Sequence, residues 1–188
     1  MNKKSFLIVI GAIILIALIG VGIYVSAYNN LVSKDENVNS KFSQIDNQLQ
    51  RRNDLIPNLV ETVKGYTKHE EQVFKDLADA RSKLANSTTV QDKANADAQI
   101  TTALRGLNVI VENYPNLKAN ENYLKLQDEL AGTENRIAVA RKDYNDSVKD
   151  FNSYKRKFFV NMFFGGKYQD KQYFKAAEGA EKVPSVKF

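Results

Sequence analysis

The first stretch of the chain has no polar rhythm. Phe6 to Val25 reads FLIVIGAIILIALIGVGIYV, twenty residues without a charge. At about 1.5 Å per residue such a helix spans the ~30 Å hydrocarbon core of a bilayer. After Tyr28 the pattern changes. Apolar positions run Leu31, Val38, Phe42, Ile45, Leu49, Ile56, Leu59, Val63, Tyr66, Val73, Leu77, Ala80 and Leu84. Gaps of three, four and seven are a helical seam with a heptad-like, coiled-coil repeat.

The seam pauses at Asn86-Ser87-Thr88-Thr89, a loop. Thr88 and Gln91 have capping-box spacing and predict the next helix start. That helix carries Ala94, Ala98, Thr101, Leu104, Leu107 and Val111 and stops at Asn113-Tyr114-Pro115, because proline disfavours helix in the residue before it. A last long helix carries Leu130, Ile137, Tyr144, Phe151 and Phe158, each seven residues after the one before, and Gly165-Gly166 ends it. No stretch alternates with period two, so no sheet is expected.

Pro57 leaves two arrangements open. Inside a helix it removes one backbone hydrogen bond and clashes with the preceding turn, at ~3 kcal/mol. The register runs on through it, which fits a kink. Asp54 can instead cap a new helix with Pro57 in its first turn. In that case helices over 27–53, 54–86, 90–113 and 118–160 pack up-down-up-down. The expected fold is therefore all-α: an N-terminal transmembrane helix, then an antiparallel up-and-down bundle of four helices, or three if the first runs through Pro57. The expected divisions are a flank over 1–5, an anchor over 6–27, a bundle over 28–164 and a tail over 165–188.

An apolar core this long, without a polar break before Val25-Ser26-Ala27, fits an uncleaved anchor better than a signal peptide. Lys3 and Lys4 precede the span, while Lys34 after it is followed at once by Asp35 and Glu36. The positive-inside rule then favours a cytoplasmic N-terminus and a bundle outside the cytoplasm. Gly22 and Ser26 form a weak small-xxx-small pair at the edge of the span; ordinary lipid-facing packing is the favoured reading, with self-association left open.

Composition removes several chemistries. With 27 Lys and Arg against 22 Asp and Glu, the net charge is +5. That is mildly basic and does not by itself imply nucleic acid, which is not an expected partner. No cysteine means no disulfide, thiol nucleophile or thiolate metal site. One histidine, His69, cannot supply the paired Glu-x-x-His motifs of a di-metal bundle or the second histidine of a zinc protease. His69 is read as solvated or capping. No cofactor and no enzymatic activity are expected.

Two groups remain as contact sites. Arg51 and Arg52 either pair with carboxylates of adjacent helices and fix their register, or receive an anionic headgroup or partner. Glu129, Glu134, Arg136, Arg141 and Asp143 face them in sequence; Glu134 and Arg141 sit one heptad apart on the seam of Leu130 and Ile137. The second group is the C-terminal segment. Arg156, Lys157, Lys167 and Lys171 interleave there with Phe159, Phe163 and Phe164. Cations with aromatics suit an anionic lipid interface, at ~1 kcal/mol per nearby cation. The same aromatics could instead cap the bundle with the lysines solvated.

Ordered motifs along the chain carry a resemblance. They are Arg51-Arg52-Asn53-Asp54-Leu55-Ile56-Pro57-Asn58-Leu59-Val60, Val63-Lys64-Gly65-Tyr66, Tyr114-Pro115-Asn116-Leu117, Thr133-Glu134-Asn135-Arg136-Ile137-Ala138 and Ala140-Arg141-Lys142-Asp143-Tyr144-Asn145. With the anchor, Tyr28-Asn29-Asn30-Leu31-Val32 and Pro184-Ser185-Val186-Lys187-Phe188, this resembles the bacterial LemA family across essentially the whole chain. Phe158-Phe159 stand where the family often has Phe-Pro, so the resemblance does not itself end the last helix there. It implies a single-pass cell-envelope membrane protein with a helical bundle outside the bilayer, and no settled activity. Neighbouring genes in the family suggest a membrane protease or a TPM-domain membrane protein as partner. The leading expectation is a membrane-anchored, non-enzymatic scaffold or modulator of membrane proteins. The alternative is direct anionic-membrane binding or shaping by the bundle and its basic-aromatic segment, with an unrecognised hydrolase a distant third.

Overall fold

The computed structural model describes residues 3–67 and 70–175, with side chains omitted at 3–6 and 9. His69 lies outside the described residues. Six helices follow one another: α1 Lys3–Lys64, α2 Glu71–Ala85, α3 Val90–Val111, α4 Pro115–Lys118, α5 Glu121–Lys155 and α6 Phe158–Phe164. There is no strand among the described residues, so the chain is all-α. Two compact units form, Met1–Ser40 with Ser147–Lys171, and Lys41–Asp146 with Gln172–Phe188.

In the second unit the side-chain pairs give the topology. Arg81 reaches Asn53, and Lys64 lies over the Phe74 ring, so α2 runs against α1. Lys83 bonds Gln99, which reverses α3 on α2. Lys93 with Asp46 and Arg52 with Asp97 make α3 parallel to α1. Lys41 with Asp143 and Arg51 with Glu129 make α5 antiparallel to α1. The four segments therefore run up-down-up-down.

The turn comes after Lys64, not near Asn53, so the expected break into 27–53 and 54–86 is corrected. Pro57 lies inside α1. Ile56, Leu59 and Val63 are fully buried around it. Burying three such side chains contributes roughly 1.5–3 kcal/mol each, which exceeds the ~3 kcal/mol that an interior proline costs. The core seam of α1 is a near-unbroken heptad repeat, with Leu31, Val38, Ile45, Arg52 and Leu59 seven apart and all buried. One of those five is an arginine.

Other boundaries follow from local chemistry. The cap of α3 is Thr89 rather than Thr88: its hydroxyl accepts from the Asp92 N–H at 3.1 Å and donates to the Asp92 carboxylate at 2.7 Å. Pro115 stands at the first turn of α4, where its missing N–H costs nothing. The last long helix stops at Lys155 instead of reaching 160, because Lys157 is extended (φ −61°, ψ 139°) and caps a separate α6. Gly165 closes α6, and a Cβ there would collide with the carbonyl of Asn161.

The first unit has its own core of Leu31, Val38, Val148, Phe151, Val160 and Phe164. Lys34 with Asp150 and the Tyr154 hydroxyl donating to the Ala27 carbonyl set α1 and the end of α5 antiparallel here. Every described side chain from Leu7 to Ser26 is exposed. This is the one helix among the described residues long and apolar enough to cross a membrane.

Candidate functional site

Two places gather the residues that the sequence singles out, one in each unit. In the second unit, Arg52 enters the core from the heptad seam of α1 with its side chain 4% exposed. Its Nη1 donates to Asp97 Oδ1 at 2.6 Å, and its Nη2 to the Thr101 hydroxyl at 2.9 Å. Glu134 Oε2 lies 2.8 Å from the same Nη1, an ion pair without hydrogen-bond alignment. Arg141 Nη2 donates to the other oxygen of Asp97. Asp97 is 0% exposed, so one buried carboxylate bridges two guanidinium groups from α1 and α5. Two cations and two anions make the cluster neutral. Phe174 then lies over Arg141, with the guanidinium carbon 4.8 Å from the ring centre.

Burial of charge at this level is tolerated only with pairing and hydrogen bonds. The cluster supplies most of both, although Arg52 Nε and Arg141 Nε find no acceptor. Arg51, one residue earlier, is on the outside. It reaches Glu129 at 2.6 Å with both side chains about half exposed. Glu129 and Glu134 are thus the partners of Arg51 and Arg52, whereas Arg136 turns to Gln48 and Asp143 to Lys41. Asp97 escaped the sequence reading. Its signal was a carboxylate three residues after Ala94 and four before Thr101, on the stripe taken to be apolar.

An extended segment follows the helices. In the second unit the Asn145 amide donates to the Phe174 carbonyl at 3.1 Å and accepts its N–H at 2.8 Å. The Tyr144 hydroxyl donates to the Gln172 carbonyl at 2.8 Å. Burial raises the Tyr144 phenol above its ordinary range, and burial likewise raises Tyr123 on the same helix.

The first unit holds the basic-aromatic segment. Arg156 and Lys155 both reach Asp170, at 2.6 and 2.7 Å. Hydrogen bonds from Arg156 first and Lys155 second hold the Asp170 carboxyl below the usual carboxylate range. Lys171 pairs with Asp35 at 2.5 Å. Lys157 lies over the Tyr154 ring, and Lys167 lies over Tyr28 and Tyr168. Phe164 is buried against Tyr24 and Tyr28, with ring centres 5.0 and 5.7 Å apart. Phe163 meets Tyr24 edge-on at 5.6 Å. Phe159 points outward and is 63% exposed. Two of the four cations expected to meet lipid therefore already have carboxylate partners.

A groove of about 750 Å³ runs between α2 and α3, lined by Val73, Asp76, Asp79, Ala98, Thr102 and Gly106. Among the described residues, no three His, Cys, Asp or Glu side chains come together as a metal site.

Residues 41–188 match the LemA family. The chain belongs to the LemA family. Protein LemA of Metamycoplasma hominis is 28% identical over 140 residues, covering 74% of this chain and 64% of that protein. Magnetosome protein MamQ 2 of Paramagnetospirillum magneticum is 25% identical over 151 residues, covering 66% of this chain and 56% of that protein. The chain thus spans less than two thirds of the length of either relative. The family match contains Arg51, Arg52, Asp97, Glu134 and Arg141 as well as α6.

Proposed function

We propose that this protein is a membrane-anchored, non-enzymatic member of the cell envelope whose helical bundle scaffolds or modulates a partner membrane protein. The observation that carries this reading is the uncharged helix over Leu7–Val25, exposed at every described side chain and continuous in α1 with a heptad seam. Such a segment needs hydrocarbon around it. The clustered charges of the second unit neutralise one another, and they look like a device that fixes helix register. The outer grooves of the bundle suit a partner helix. Family context makes a membrane protease or a TPM-domain protein the first partner to seek, and the charge bias favours a cytoplasmic N-terminus.

Photocrosslinking from exposed positions of α2 and α3 in intact membranes, followed by mass spectrometry, tests the partner. The expected result is one recurrent membrane protein, captured from Thr102 and absent when the probe sits at a lipid-facing position such as Ile16. Capture of lipid alone, or of no recurrent protein, would sink the scaffold reading. The second reading is direct membrane contact by the basic-aromatic segment, and the packing of α6 on Tyr24 and Tyr28 favours it.

A further inference from the structure

We propose that α6 is an interfacial helix, embedded by Phe159, Met162 and Phe163 in the boundary between headgroups and acyl chains of the leaflet from which the Phe6–Val25 span emerges. This rests on the reading of that span as a membrane anchor. It changes the expected membrane contact from one led by charge to one led by apolar side chains.

The sequence of α6, FFVNMFF, has no charge and a single polar residue. Val160 and Phe164, four apart, turn inward and are buried. Phe159, Met162 and Phe163, at i, i+3 and i+4, share the opposite face and are 63%, 57% and 56% exposed. A helix apolar all round belongs inside a protein or in a membrane. Tyr24 meets the edge of Phe163, and the rest of this outer face stays exposed among the described residues.

The occupant follows from where α6 is held. Phe163 and Phe164 pack on Tyr24, in the last turn of the uncharged span, and Phe164 also packs on Tyr28 just beyond it. Lipid that covers the span ends at that level, where tyrosines gather in membrane proteins. The outer face of α6 is therefore continuous with a surface that already requires lipid. Lys157 and Lys167 stand just outside the two ends of α6, with their ammonium groups over aromatic rings. That placement suits long side chains whose apolar stems lie low and whose charges reach the headgroups. Lys155, Arg156 and Lys171 are paired with Asp170 and Asp35. The attraction is thus mainly apolar, and a zwitterionic bilayer should suffice.

The chain has no tryptophan, so Phe159→Trp introduces a single reporter at a position already aromatic. The full-length variant would be reconstituted in phosphatidylcholine vesicles with and without lipids brominated high on the acyl chain. Val109→Trp, on the exposed side of α3 in the second unit, is the aqueous control. The Phe159→Trp reporter should emit to the blue and be quenched by bromolipid. Its acrylamide quenching should be about threefold weaker or more than that of the control, as for a side chain seated in the interface. Adding anionic lipid should change these readings little. If Phe159→Trp matches the control in acrylamide and ignores bromolipid while the protein floats with the vesicles, the proposal is overturned and α6 is left for a protein partner. If the protein does not float with the vesicles, the anchor reading fails instead. Circular dichroism of both variants guards against misfolding.

Discussion

The second unit hides charge and the first unit exposes grease. Around Asp97 the chain buries one carboxylate and one guanidinium almost completely and pairs them with the partly exposed Arg141 and Glu134. Around α6 it leaves large apolar side chains outside while three nearby cations are tied to carboxylates. Exposed apolar and buried polar groups are the informative departures from ordinary packing. Their causes differ. A neutral charge cluster around a buried carboxylate pairs within the bundle and asks for no partner. An apolar face exposed among the described residues, next to a helix long and apolar enough to cross a membrane, points to something beyond those residues. The functional search therefore belongs at α6 and the outer grooves, although the conspicuous charges lie in the interior.

The largest effect should come from breaking the hidden cluster. Asp97→Ala leaves the buried Arg52 and the partly buried Arg141 without their shared carboxylate. Removing one partner of a buried pair costs roughly 3–5 kcal/mol, a large part of a domain's stability. Urea unfolding of the full chain in detergent, followed by helical circular dichroism, should show a clearly lower midpoint. Replacing Arg52, Asp97 and Arg141 together by apolar residues of similar volume should cost far less. An Asp97→Ala midpoint equal to wild type would mean that water reaches the cluster.

Much of this arrangement was legible in the chain. The heptad spacing from Leu31 to Val63 marks the seam of α1, and Glu129 and Glu134 are two of the five residues of the last helix read as partners for Arg51 and Arg52. Asp97 did not stand out, because α3 is rich in small side chains and several of its faces resemble a stripe. Only the facing helices select the face that holds Ala94, Asp97, Ile100, Leu107 and Val111. The position of the first turn was hidden for a related reason. Pro57 has a fixed local cost, but whether α1 survives it depends on what the next turns bury. The break at Arg156-Lys157 has no glycine or proline to announce it. It exists because Phe164 finds a place beside Tyr24 and Tyr28 and Val160 is buried on the same side of α6, which is tertiary information.

A smaller effect should separate burial from exposure among the tyrosines. The folded-state pKa of Tyr144 is raised by burial. A raised value means that the folded state holds its proton longer. The stabilising contribution is full below the ordinary tyrosine value near 10 and is lost as pH rises through the raised one. Alkaline titration followed by tyrosinate absorbance should show late-titrating groups in the native protein, and Tyr144→Phe should remove one. The same substitution leaves the Gln172 carbonyl without its phenol donor, at ~0.5–1.5 kcal/mol. If Tyr144→Phe removes only an early-titrating group, the phenol is open to solvent.

The smallest effect sharpens the comparison most, because it concerns neighbouring residues. Arg51 and Arg52 are adjacent in α1 and carry the same charge, yet the helical turn sends one outward and the other into the seam. The Arg51–Glu129 pair is short at 2.6 Å, but both side chains are about half exposed. Such pairs are worth about 0.2–1 kcal/mol, since water and salt screen them. Arg51→Ala should therefore lower the urea midpoint slightly, and raising the salt from 0.05 to about 0.5 M should erase most of the difference. Arg52→Ala should remain severe at every salt concentration, because it takes one of two cationic partners from Asp97, a carboxylate that is 0% exposed. A double-mutant cycle with Glu129→Ala isolates the surface pair. A coupling that is large and indifferent to salt would make Arg51 part of the interior after all. Equal salt sensitivity at the two arginines would remove the distinction between a charge cluster around a buried carboxylate and an open surface pair.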